Sequence, residues 1–132
     1  MSGAYDFEFV TTDAAVQLFT SSAPIFRGLL KEVRELSKKK PEATMSASKV
    51  KLINRVLSDL LVFLKEDPAG KYLFVLDEDS LPQMSDAVLT MVQFETALDS
   101  FRTRYNKRVA GEYYWITSDL LEKWKKAGRI GG

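Results

Sequence analysis

SASKVKLINRVLSDLLVFLKE, residues 46–66, sets Val50, Ile53, Leu57, Leu60 and Leu64 at three- and four-residue steps. Leu52, Val56, Leu61, Val62 and Phe63 widen that stripe. A spacing of this kind matches the 3.6-residue helical period. A helix apolar over so much of its circumference is expected in the middle of a bundle.

Two further segments repeat the pattern. Between Pro24 and about Lys38 the apolar residues Ile25, Phe26, Leu29, Leu30, Val33 and Leu36 alternate with Arg27, Lys31, Arg34 and Glu35, predicting an amphipathic helix. From about Ser85 to Lys107, Ala87, Met91, Phe94, Leu98, Phe101 and Tyr105 form another apolar stripe. The polar positions there hold Asp86, Glu95, Asp99, Arg102 and Arg104. This helix is expected to pack along 46–66, the two forming the spine of the domain.

Shorter elements lie around these three. Tyr5, Phe7 and Phe9 alternate with Asp6 and Glu8, the two-residue period of a strand. Thr11, Thr12 and Asp13 offer cap chemistry for a helix carrying Val16, Leu18 and Phe19, which Ser21, Ser22 and Pro24 are expected to interrupt. Residues 37–48, SKKKPEATMSAS, lack apolar periodicity and read as an exposed loop. After Asp67 and Pro68, the run KYLFVL at 71–76 fits either a short helix or a buried strand, with helix slightly favoured. Asp77, Glu78, Asp79 and Ser80 read as an acidic turn.

Past Gly111, Tyr113, Tyr114, Trp115 and Ile116 have strand character, and alternation would bury Tyr113 and Trp115 while exposing Tyr114. Thr117 or Ser118 can cap a last helix holding Leu120, Leu121 and Trp124, stopped at Gly128. Residues 117–130 resemble the closing helix of many small helical domains, including some winged-helix modules. The expected fold is therefore mainly α: one domain over 1–132, a bundle of about four to five helices. The alternation leaves room for a small two-stranded β-ribbon joining the N-terminal segment to residues 113–116.

Composition narrows the chemistry. The 132 residues contain no cysteine and no histidine. Disulfides, thiolate nucleophiles, cysteine-ligated metals and Ser-His-Asp arrangements are therefore ruled out, as is the commonest general base near neutral pH. No glycine-rich phosphate loop is present, and the spacing of Asp77, Glu78 and Asp79 lacks the alternating ligands and central glycine of a calcium loop. No cofactor, metal or catalytic residue is expected. Catalysis would have to rest on carboxylates with a divalent cation. Glu95 and Asp99, one helical turn apart, are read as ordinary surface partners of nearby arginines.

Charge sums to only +1 but is uneven: residues 34–55 carry seven basic against two acidic side chains, and residues 66–86 carry six acidic against one basic. Opposed poles of this kind would steer a charged partner or favour self-association. Lys38, Lys39 and Lys40, with Arg102 and Arg104 on another helix end, are candidate contacts. So are Asp77, Glu78, Asp79 and the aromatic Tyr114. The expected role is a non-catalytic protein-interaction or accessory subunit. The alternative is a small nucleic-acid-binding regulator using the basic clusters at 34–55 and 102–108. The sequence shows neither a basic leader with an apolar core nor an apolar run long enough to span a bilayer. A cytoplasmic location without membrane partners is the expectation.

Overall fold

The computed structural model describes residues 7–129. Its four helices are α1 (Asp13–Lys39), α2 (Ala47–Leu64), α3 (Met84–Tyr105) and α4 (Ser118–Lys126). Strands β1 (Asn106–Val109) and β2 (Glu112–Trp115) form an antiparallel hairpin between α3 and α4. The fold is mainly α with a small two-stranded sheet.

Three of the four helices, α1, α2 and α4, begin on a side-chain cap, and α3 starts after Gln83 without one. Hydroxyl oxygens of Thr12, Ser46 and Thr117 accept the backbone N–H groups of Ala15, Lys49 and Leu120 at 3.1, 3.2 and 3.1 Å. The expected break at Pro24 does not occur: α1 runs through it for 27 residues. An interior proline removes one backbone hydrogen bond and costs ~3 kcal/mol. Phe19, Ala23, Phe26, Leu30 and Val33 form one buried row passing the proline, which itself lies on the exposed side. Burial of a large apolar side chain contributes ~1.5–3 kcal/mol, so several of them outweigh the lost bond.

Packing also redistributes the roles of the long helices. The helix packed most extensively on both others is α1, with α2 and α3 along its flanks and in lesser contact with each other. Arg34 reaches Glu95 at 3.2 Å and Arg27 reaches Asp99 at 3.7 Å, so α1 and α3 run antiparallel. Although α2 has the broadest apolar surface in sequence, it lies at the side of the bundle and leaves Leu52 and Val62 exposed. Phe26, Phe94, Phe101, Leu57, Leu60 and Met91 form the centre of the core.

Strand β2 forms as expected at its C-terminal aromatic run, but its partner is 106–109 and not the N-terminal segment. Val109 pairs with Glu112 across a two-residue loop in which Ala110 and Gly111 both have positive φ, 52° and 88°. That is the primed turn whose twist suits a hairpin. Of the N-terminal segment, Tyr5 lies outside the described residues. Thr11 meets the C-terminal region in a parallel bridge to Thr117 closed by bonds of 3.0 and 3.1 Å, and the Phe7 ring lies 6.3 Å from that of Trp124.

The hairpin sits between two aromatic groups. Trp115 packs 4.9 Å from Phe19 and 5.9 Å from Phe101, while on the other face Tyr114 meets Trp124 edge-on at 5.0 Å. The expected alternation at 113–115 is therefore corrected: Tyr113 is exposed and Tyr114 half-buried, because both faces of the ribbon are covered near Trp115 and neither near the turn.

Candidate interaction surface

Residues 71–76 form neither helix nor strand. A short 3-10 turn, Pro68–Gly70, reverses the chain at the end of α2, where Gly70 lies so close to the Leu64 carbonyl that a β-carbon would overlap it. The chain then runs back beside α2 outside any sheet. The six residues after Gly70 cover the roughly 15 Å of helix between Leu64 and Asn54, a span that needs a largely extended backbone. It is held by one side chain: the Asn54 carboxamide donates to the Leu76 carbonyl at 2.8 Å, and its oxygen accepts the Leu76 N–H at 2.9 Å. Asn54 also donates to the Glu78 carboxylate at 3.0 Å. Backbone groups of Phe74 and Val75 have no hydrogen-bond partner among the described residues.

The two sides of this segment differ. Leu73, Val75 and Leu76 turn to the core, while Tyr72 and Phe74 are 74% and 62% exposed. Between the segment and α2 runs an open groove of about 1010 Å³, lined by Leu61, Val62, Leu73, Lys65 and Lys71 among others. Val62 is itself 67% exposed. A second, polar groove of about 580 Å³ shares Ser58 and continues past Asn54, Lys51, Arg55, Asp59 and Glu78. Val62, Tyr72 and Phe74 thus lie exposed on this edge, while Phe9, Val10, Ile25, Leu89 and Tyr113 are exposed on other elements.

The residues expected to meet a partner are distributed differently. Lys38, Lys39 and Lys40 close α1, where the Pro41 carbonyl accepts the Ser85 N–H at the start of α3. Arg102 and Arg104 are at the other end of α3, roughly 25 Å away at 1.5 Å per residue. The two basic clusters are not brought together and offer no shared phosphate track. Three of the cations are also engaged within the fold, Lys38 among them at 3.2 Å from Glu35. Arg34 pairs with Glu95, and Arg104 lies 3.6 Å from Asp67 with its guanidinium 4.4 Å from the Phe9 ring centroid.

The opposed charge poles are corrected too. Asp77, Glu78 and Asp79 precede Pro82, whose carbonyl accepts the Met45 N–H, so the acidic turn and the lysine-rich loop lie at the same end of the bundle. The Asp77 carboxylate accepts the N–H groups of Asp79 and Ser80 at 2.8 and 2.9 Å. Those bonds, the Ser80 one foremost, hold its carboxyl below the usual range. Tyr114 packs on Trp124 and bonds to Glu112 through its hydroxyl. It is part of the hairpin's own packing.

Buried polar chemistry is confined to a few places. Asp67, nearly buried, has its carboxyl raised by desolvation, opposed by a 3.1 Å hydrogen bond from the Tyr105 hydroxyl and by Arg104. Asp13 and Asp119 meet at the adjacent starts of α1 and α4, and that neighbour raises the Asp119 carboxyl. Among the described residues no three acidic side chains converge in a way that could hold a metal ion. Glu95 and Asp99 are engaged by arginines of α1 instead of those expected on their own helix.

Fold and surface together define a small, mainly α-helical protein with an exposed apolar edge beside α2. Among the described residues no helix is long and apolar enough to cross a membrane. No protein-family model matches the chain, and no curated protein and no solved structure matches it. Val62, Tyr72 and Phe74 were not singled out by sequence reasoning. The signal available was an apolar run too short for a long helix and bracketed by Pro68 and the acidic turn.

Proposed function

We propose that this chain is a non-catalytic interaction protein, acting in the cytoplasm through the edge formed by residues 71–76 and the outer face of α2. The observation that carries the reading is the segment itself. Two large side chains, Tyr72 and Phe74, face solvent on an extended backbone whose N–H and C=O groups at Phe74 and Val75 have no partner among the described residues. Exposed apolar area beside unpaired strand-like backbone is what strand addition by another polypeptide uses: the backbone supplies affinity and the alternate side chains supply specificity.

Aromatic residues of this kind are common anchors in protein interfaces. The test is capture of partners by the tagged full chain, compared with Phe74→Asp and Val62→Asp variants, with nuclease treatment and at two salt concentrations. Proteins retained through nuclease and moderate salt, and lost from both variants, are the expected result. Capture that disappears with nuclease, or that ignores both substitutions, overturns the reading.

A further inference from the structure

Resting on that reading, we propose that the occupant of this edge is a second copy of the same chain, paired antiparallel through residues 71–77. The argument lies in the order of charge along KYLFVLDED. A cation, Lys71, stands at one end, and Asp77, Glu78 and Asp79 stand at the other. The five residues between are apolar, with Tyr72 and Phe74 outward. Antiparallel pairing about Phe74 sets Lys71 of each copy opposite Asp77 of the other and brings the two Phe74 rings together at the two-fold axis. Parallel pairing would set acid against acid.

The polarity belongs to the extended segment. The α2 wall beside it is mixed, with Lys51 and Arg55 near Asp59 and Glu78, and Lys65 next to Glu66. A surface that is its own complement under a two-fold rotation is what an isologous dimer requires. Asp77 carries its negative charge firmly, because the Ser80 and Asp79 N–H groups stabilise the ionised form. Successive residues of an extended run present their N–H and C=O groups to opposite sides, so with Leu76 turned to Asn54 it is the Val75 groups, unpaired among the described residues, that the second copy would pair.

The experiment is sedimentation velocity on the full chain over a wide concentration range, with Phe74→Asp, Lys71→Glu and Asp77→Lys variants and circular dichroism on each. The wild type should pass from monomer to dimer. Phe74→Asp and Lys71→Glu should each weaken association by at least about tenfold, ~1.4 kcal/mol, with unchanged helicity. Mixing Lys71→Glu with Asp77→Lys should restore a mixed dimer, since the reversed charge at 71 of one copy then faces the reversed charge at 77 of the other, and the second Lys71–Asp77 pair is left intact.

Should Phe74→Asp fail to fold, the charge-reversed mixture decides the matter, as both its sites are exposed. A wild-type chain monomeric at every concentration overturns the second copy, as does a dimer indifferent to these substitutions or a mixture that stays monomeric. Capture of a different protein by a monomeric wild type, dependent on Phe74, would overturn this inference while leaving the interaction reading in place.

Discussion

Asn54 and Leu76, 22 residues apart, are joined as two paired strand residues would be: one side-chain amide satisfies both the N–H and the C=O of a single backbone position. Asn54 is itself buried on α2. Removing it leaves two enclosed backbone groups without partners. Each such loss costs ~1–3 kcal/mol, and Asn54→Ala should therefore destabilise by about 2–4 kcal/mol in urea unfolding. Asn54→Asp should cost more at neutral pH, because it replaces the donor to Leu76 and Glu78 by a second acceptor.

Gly70 and Gly28 should respond to alanine with opposite signs. A β-carbon at Gly70 would overlap the Leu64 backbone, and Gly70→Ala should lose about 1–3 kcal/mol as the reversal after α2 shifts. Gly28 lies on the exposed side of α1 with open space around it. Gly28→Ala should gain roughly 0.5–1 kcal/mol from helix propensity. Thermal unfolding of the two variants side by side checks both.

Ala110 holds a left-handed backbone, φ 52°, which L residues with a β-carbon adopt at a cost of about 1 kcal/mol. Asparagine tolerates that region better and suits the first position of a primed hairpin turn. Ala110→Asn should raise stability by roughly 0.5–1 kcal/mol without altering the Val109–Glu112 register, measurable by chemical denaturation and by the cross-strand NMR contacts.

Asp67 should make folding depend on pH in the direction opposite to an ordinary ion-paired carboxylate. Its folded pKa is raised, chiefly by desolvation. Its contribution is fully present below the unfolded carboxyl pKa and is lost as pH rises through the folded value. Relative to the wild type, Asp67→Asn should therefore gain stability between pH 3 and pH 7. Tyr105→Phe, which removes the hydrogen bond opposing the shift, should raise the Asp67 pKa further. Urea midpoints across that range, with an NMR titration of the carboxyl, would show either failure.

Asp119 offers a second titration test at the joined starts of α1 and α4. Its carboxyl should titrate above the usual aspartate range by NMR, and Asp13→Asn should bring it down, since Asp13 is the principal source of the shift. An unchanged Asp119 titration in that variant would contradict the proximity of the two carboxylates.

Apolar periodicity made the three long helices legible, and Thr117 and Gly128 marked the ends of α4 correctly. Pro24 misled because a local breaker was weighed without the row from Phe19 to Val33 that passes it on the other face. The hairpin partner was missed for a related reason. Asn106–Val109 has little strand character and follows a long helical pattern, so only the tertiary cover provided by Trp115 and Tyr114 reveals it.

At the surface the charges were visible in sequence, but their grouping was not. The Met45–Pro82 bond brings the lysine loop and acidic turn to one end, and no local pattern announces a contact 37 residues away. Residues 71–76 defeated periodicity altogether. Their conformation depends on one buried asparagine of another element, a residue type that hydrophobic patterning passes over.

The bridge between Thr11 and Thr117 bears on how the chain reaches this state. Nearly the whole described chain lies between its two ends, so it closes one of the longest loops among the described residues, while the hairpin and successive helix pairs close short ones. Loop closure costs entropy before it returns any contact energy, and the cost rises with length. The three long helices should therefore assemble first, with the N-terminal segment and α4 docking last. These late-docking pieces should also open first, exchanging their amide protons through partial unfolding while the core around Phe94 stays closed.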